Sequence, residues 1–232
     1  APTSDDLFGQ WWAVRFGIAP PAVGGGFTAA FDEVQFLGAD SSTVRRTQST
    51  NGVTLIDAPL PATGLTYNHT FESDGWIATR DTRLSDPDEI ELGALSSDGS
   101  IYLAAQGPGA NADTYVPGLT IYVRRTLDLT LAELAGTFHL ASFTAGGAFL
   151  AAGGTLALDG DGVGTLEQVF NAEGSVFGPV TAPADAFVLP TSTFLLELNG
   201  LPHSGAMTPD GRLAVAVGAW FGGPENLHIL LR

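Results

Sequence analysis

Four histidines, His69, His139, His203 and His228, are the side chains whose ordinary titration range suits acid–base work or metal ligation near neutral pH. His139 and His228 fall at the start and end of the second half of the chain. If that half closes into a barrel, its first and last strands are neighbours, and these two imidazoles are expected to meet as metal ligands or as an acid–base pair. A second candidate is the acidic stretch Asp86-Pro87-Asp88-Glu89-Ile90-Glu91. Its Asp86, Asp88 and Glu89 carboxylates are the oxygen type that calcium selects, although the spacing of a full ligand set is missing. Trp12 adds an aromatic wall on the opening strand, and with His139 and His228 it makes the candidate ligand-binding set.

Other constellations fail on spacing. Asp159-Gly-Asp-Gly-Val-Gly-Thr-Leu-Glu167 has Val163 at the fifth position of a calcium loop and Phe170 at the twelfth, so hairpin turn chemistry explains it better. No Gly-x-Ser-x-Gly elbow is present, and His203-Ser204 is an adjacency only. Asp32 and Glu33 point to opposite faces of a strand, so they cannot flank one bond. No catalytic residue is assigned, and no cofactor is called for.

The elements that must position these residues are short. Turn dipeptides recur at Asp74-Gly75, Asp98-Gly99, Asp159-Gly160, Asp161-Gly162 and Asp210-Gly211, between runs such as Gly52–Asp57 and Thr193–Leu198. Short β-branched and leucine-rich runs bounded by glycine and aspartate predict antiparallel strands joined by tight hairpins. Only 129–134 reads as helical. Trp12, Val14 and Phe16 share one face of the opening strand, and His139, Ala141 and Phe143 are their counterparts in the second half. The small face Ala214, Ala216 and Gly218 is expected to admit a closely packed neighbour, either the other half or another subunit.

Landmarks repeat in order. Leu7-Phe8-Gly9-Gln10-Trp11 matches Leu134-Ala135-Gly136-Thr137-Phe138, Asp98-Gly99 matches Asp210-Gly211, and both halves close on an apolar strand ending in arginine. This order predicts a duplicated chain, with residues 1–127 and 128–232 as two tandem β-barrel-like repeats of about eight strands each. Two β-sandwiches are the alternative. The first half carries the longer connections, with 17–26 and 85–91 as candidates, and loops added to a scaffold are where function concentrates.

The formal charge is −16 with a pI near 4.2, and all nine basic residues are arginine. So acidic a chain repels phosphate backbones and anionic head groups, which argues against nucleic acid as a partner. No apolar run reaches the ~20 residues of a spanning helix, and the short strands and few tyrosines disfavour insertion as an outer-membrane barrel. Cysteine is absent, which excludes disulfides and thiolate chemistry. The opening Ala-Pro-Thr-Ser-Asp-Asp reads as a processed end, so the expectation is a bacterial protein that is secreted, periplasmic or on the cell surface.

Gly9-Gln10-Trp11, taken with Arg124 or Arg125 in the closing strand, resembles the lipocalin and wider calycin barrels. The resemblance implies a barrel closed by a guanidinium stacked on the opening-strand indole, and the second half keeps a version in Phe138 and Arg232. It also implies a carrier of a small apolar ligand. Each half is shorter than a lipocalin and lacks that family's C-terminal helix.

The leading expectation is a non-enzymatic protein with a structural, assembly or binding role, partnered by copies of itself or by another protein. The carrier is the second expectation. The third is a small barrel enzyme of cyclase or isomerase type, which rests on His139.

Overall fold

The computed structural model describes residues 3–18, 27–38, 41–50, 55–56, 65–72, 75–81, 90–106, 118–126, 128–146, 148–172, 175–218 and 225–232. The chain divides into two compact units, Ala1–Arg124 and Arg125–Arg232, and the described residues are almost entirely strand.

Unit 1 opens with a one-turn helix α1 (Ser4–Leu7), followed by β1 (Gly9–Ile18), β2 (Phe27–Gly38), β3 (Ser41–Thr50), β4 (Leu55–Ile56), β5 (Leu65–Phe71), β6 (Ile77–Asp81), β7 (Ile90–Leu95), β8 (Ile101–Gln106) and β9 (Gly118–Arg124). Its sheet runs β2-β1-β9-β8-β7-β6-β5-β3-β4, and β2 also pairs with β3, so the sheet curls back on itself. Every pairing is antiparallel, as the hairpin-rich sequence requires.

Unit 2 is also built of antiparallel strands. After α2 (Leu131–Leu134) come β10 (Gly136–Gly146), β11 (Ala148–Leu158), β12 (Val163–Ala172), β13 (Ser175–Val188), β14 (Phe194–Leu198), β15 (Leu201–Met207), β16 (Leu213–Gly218) and β17 (Glu225–Leu231). These strands form a closed barrel in chain order. Full closure leaves no sheet edge to pair elsewhere. A sandwich is therefore overturned for this unit.

Alternation along each strand decides what lies inside. In β1 the odd positions Trp11 and Ala13 join Leu7, Val34, Phe36, Ile77, Leu95, Tyr102, Ala104 and Tyr122 in the core of unit 1. In β10 the even positions Phe138 and Leu140 join Leu156, Leu166, Phe194, Leu196, Ala214, Ala216 and Leu230 in unit 2. An apolar cavity in that second interior, walled by Phe138, Leu156, Phe194 and Leu196, holds only about 10 Å³, room for roughly one water.

The small face of β16 therefore looks into its own barrel. A Cβ built on Gly218 would lie 2.3 Å from His203 Cδ2, and one on Gly205 would lie 2.3 Å from Phe194 Cζ. The close packing that Ala214, Ala216 and Gly218 were expected to offer a neighbour is used by side chains of the same unit.

Both units are tied shut in the same way. Thr3 and Asp6 form a capping box on α1, with the Thr3 amide donating to Asp6 Oδ2 at 2.7 Å. Thr130 and Glu133 repeat it on α2 at 2.7 Å. Gly9 then takes φ +125° and Gly136 φ +131°, values that a side-chain-bearing residue rarely adopts. Arg124 lies with its guanidinium 4.5 Å from the Trp11 ring and donates to the carbonyls of Gly99 (2.7 Å), Phe8 (3.1 Å) and Asp6. Arg232 lies 4.3 Å from the Phe138 ring and donates to Glu133 O and Ala135 O, both at 2.7 Å. Arg125 is half-buried and starts unit 2; it is Arg124 that covers Trp11.

Candidate functional site

The interior of unit 1 is apolar near α1 and polar toward the opposite end. Seven consecutive neighbours in the sheet, β2, β1, β9, β8, β7, β6 and β5, each send a polar group inward. Asp32 on β2 is fully buried and accepts from Arg15 Nε at 2.7 Å. Arg15 also donates to Thr120 Oγ1 at 3.4 Å and to the Tyr122 hydroxyl at 3.3 Å. Tyr122 donates in turn to Glu91 Oε2 at 3.1 Å. Thr79, directly opposite Glu91 on β6, shares hydrogen bonds with the Tyr102 hydroxyl at 3.2 Å and with His69 Nδ1 at 2.9 Å. The His69 ring packs 4.8 Å from Phe36, at the border of the apolar half.

A chain of this kind is expensive to bury unless each member is satisfied. Most members are, and Arg15 and Asp32 are directly paired. Glu91 is the exception: its side chain is 6 % exposed, yet Oε1 has no hydrogen-bond partner. Burial holds His69 neutral by lowering its pKa to about 4. Burial, reinforced by Glu91, raises the Tyr102 phenol above its ordinary value. The row thus offers the Arg15–Asp32 pair, hydroxyls, an imidazole that burial holds neutral, and the Glu91 carboxyl group with one buried oxygen unpartnered. Oε1 thus lacks the hydrogen bond that an N–H or O–H donor beside it would supply.

Unit 2 holds a smaller buried polar cluster of its own. His228 Nδ1 meets Ser142 Oγ at 2.6 Å, Gln168 Nε2 donates to the same Oγ at 2.9 Å, and His203 Nδ1 meets Leu196 O at 3.1 Å. The two imidazoles contact edge to face with centroids 4.6 Å apart. Burial lowers both pKa values, and for His228 the neighbouring His203 adds to the shift. His228 Nε2 is buried without a hydrogen-bond partner.

His228 is thus inside, but its histidine partner is His203. His139 is exposed, because it lies three residues from Ser142 and so on the opposite face of β10; the register places Ser142, not His139, across from His228. Trp12 lies on the face of β1 opposite Trp11, where it is buried and stacked on Phe31 at 5.3 Å. Asp86, Asp88 and Glu89 lie outside the described residues. Among the described residues no group of three or more His, Asp or Glu side chains is placed to hold a metal. No helix among the described residues is long and apolar enough to cross a membrane.

Sequence reading missed Arg15, Asp32, Glu91 and Tyr122 as a set. The available signal was parity: Arg15 is two and four residues from Ala13 and Trp11, and therefore shares the inward face with the tryptophan of the Gly-x-Trp motif.

No family model matches the chain, and no curated protein matches it. Among solved structures, similarity extends to a protein of unknown function from the DUF3598 family of Nostoc punctiforme PCC 73102. The identity is 12%, covering 100% of this chain and 99% of that one, with a TM-score of 0.28. It extends also to a putative AttH from Nitrosomonas europaea, at 12% identity, 98% and 93% coverage, and a TM-score of 0.31.

Proposed function

We propose that this is a calycin-like binding protein that holds a small ligand at the polar end of the first unit, with the packed second unit as a duplicated scaffold. The observation that carries this reading is the buried, unpartnered Oε1 of Glu91, set in a row of polar side chains from seven adjacent strands. Buried polar groups cost of order 1–3 kcal/mol when left unpaired, and a ligand that completes the set recovers that cost on binding. The matched capping boxes, positive-φ glycines and stacked arginines of the two units support both the calycin likeness and the duplication. A panel of small molecules titrated against the tryptophan fluorescence and the thermal stability of the full chain tests the reading; a flat response in both across the panel ends it.

A role in assembly is the second reading. It is favoured by the β12–β13 hairpin, whose residues 175–181 are exposed in succession and carry Val176 (69 % exposed) and Phe177 (55 %) into solvent. Exposed apolar clusters of this kind mark interaction surfaces. The double change Val176→Lys with Phe177→Lys is expected to lower the sedimentation coefficient of any assembly. An unchanged coefficient removes the hairpin from consideration.

A further inference from the structure

Resting on the small-ligand reading, we infer that the ligand of unit 1 presents a protonated amine to Glu91. The two buried carboxylates of the polar row differ in one respect. Asp32 already has its cation, with Arg15 Nε at 2.7 Å. Among the described residues Glu91 is in no salt bridge, its Oε2 is held by the neutral Tyr122 hydroxyl, and its Oε1 is buried with no hydrogen-bond partner. Around it stand hydroxyls and a neutral imidazole: Thr79 directly across β6, then Tyr102 and His69. None of these supplies a positive charge.

A buried carboxylate lacking a cation is the least compensated state of this group, and pairing with hydrogen bonding is what ordinarily permits its burial. An ammonium supplies both at once. It carries the missing charge and has three donors, one for Oε1 and others for hydroxyl acceptors such as Thr79 Oγ1. A neutral alcohol supplies a single donor and no charge. A carboxylate or phosphate would be repelled by Glu91 and by the overall −16 charge of the chain. Arg15 does not reverse that order, because its Nε is directed at Asp32 and its two terminal nitrogens donate to Thr120 and Tyr122.

The test uses the full chain and three probes of equal length: hexylammonium, hexanol and hexanoate, each titrated by isothermal calorimetry at neutral pH. Hexylammonium is expected to bind most tightly. Glu91→Gln, which keeps the shape and removes the charge, is expected to weaken it by about tenfold or more, the scale of one charge-assisted contact. Glu91→Asp is expected to restore part of the loss. Near-ultraviolet circular dichroism of both variants shows that the unit is folded.

If hexanol binds as well as hexylammonium, or if Glu91→Gln leaves hexylammonium binding unchanged, the amine assignment is wrong while the site stands. If hexanoate binds best, the sign of the site has been misread. If none of the three binds, the amine inference falls. The small-molecule panel then decides the small-ligand reading separately.

Discussion

Arg124 is the clearest place to test whether the closing arginine is a lock or an ornament. Substituting it with methionine keeps much of the aliphatic packing and removes the guanidinium. Three backbone carbonyls lose a charged donor, but they do not weigh equally. The bond to Gly99 O, 2.7 Å long and part-buried, is the most valuable, at about 1.5–3 kcal/mol. The bonds to Phe8 O and Asp6 O are exposed, so water replaces them and each counts for roughly 0.5 kcal/mol. The stacking on Trp11, with the ring fully buried, adds about 0.5–1 kcal/mol. The expected loss for Arg124→Met is therefore about 3–5 kcal/mol, centred on unit 1. Three of the four tryptophans, Trp11, Trp12 and Trp76, belong to unit 1. Fluorescence-detected guanidinium unfolding in a Trp220→Phe background therefore isolates its transition. A loss below about 1 kcal/mol would show that the hydrogen bonds counted here are replaced by water without cost, and the reasoning would fail.

Arg232→Met is expected to cost less, about 2 kcal/mol, because both its carbonyl partners are exposed and a phenyl face attracts a cation less than an indole does. Calorimetry of the unit 2 transition measures it. Gly218→Ala forces a methyl against His203 and is expected to destabilise unit 2 by about 1–3 kcal/mol. Combining it with His203→Ala should return part of that loss, and an additive double mutant would refute the clash. Acidification gives a third check. His69, His203 and His228 are held neutral in the fold by burial, with pKa values below the unfolded 6.5. Above that pH both states are neutral and nothing is lost. As pH falls below it the unfolded chain takes up protons the fold refuses, and stability drops by up to about 1.4 kcal/mol per pH unit for each histidine. For His69 the window runs from 6.5 down to about 4. Thermal melts between pH 7 and 5 that do not shift would contradict this.

Much of the architecture was legible, and the reasons are local. Asp-Gly turns and short apolar runs force hairpins, and the paired Gly-x-aromatic and terminal arginine marked where the first and last strands of each unit meet. The interior of the site was harder to read because it depends on register. His139 and His228 sit on neighbouring strands, yet a separation of three residues along β10 decides that Ser142 faces inward and His139 faces solvent. Glu91 was concealed by its context. It ends an acidic run that reads as one hydrophilic stretch, but β7 begins at Ile90, so the first alternation of that strand turns Glu91 inside. The small face of β16 was visible as a pattern, but its occupant, His203, comes from β15 and is set by pairing alone.

The seam between first and last strands also has a bearing on synthesis. In unit 1 β1 pairs with β9, and in unit 2 β10 pairs with β17, so each opening strand gains its second neighbour only after the rest of its unit has been translated. Until Arg124 emerges, one edge of β1 is bare and the Trp11 indole lacks its cation; the same holds for β10 and Phe138 until Arg232 is made. Pairings so distant in sequence form late and slowly, and the waiting edge is open to wrong partners. Each nascent unit thus passes through a sticky interval that ends with its terminal arginine, the stage at which a holding chaperone would matter most.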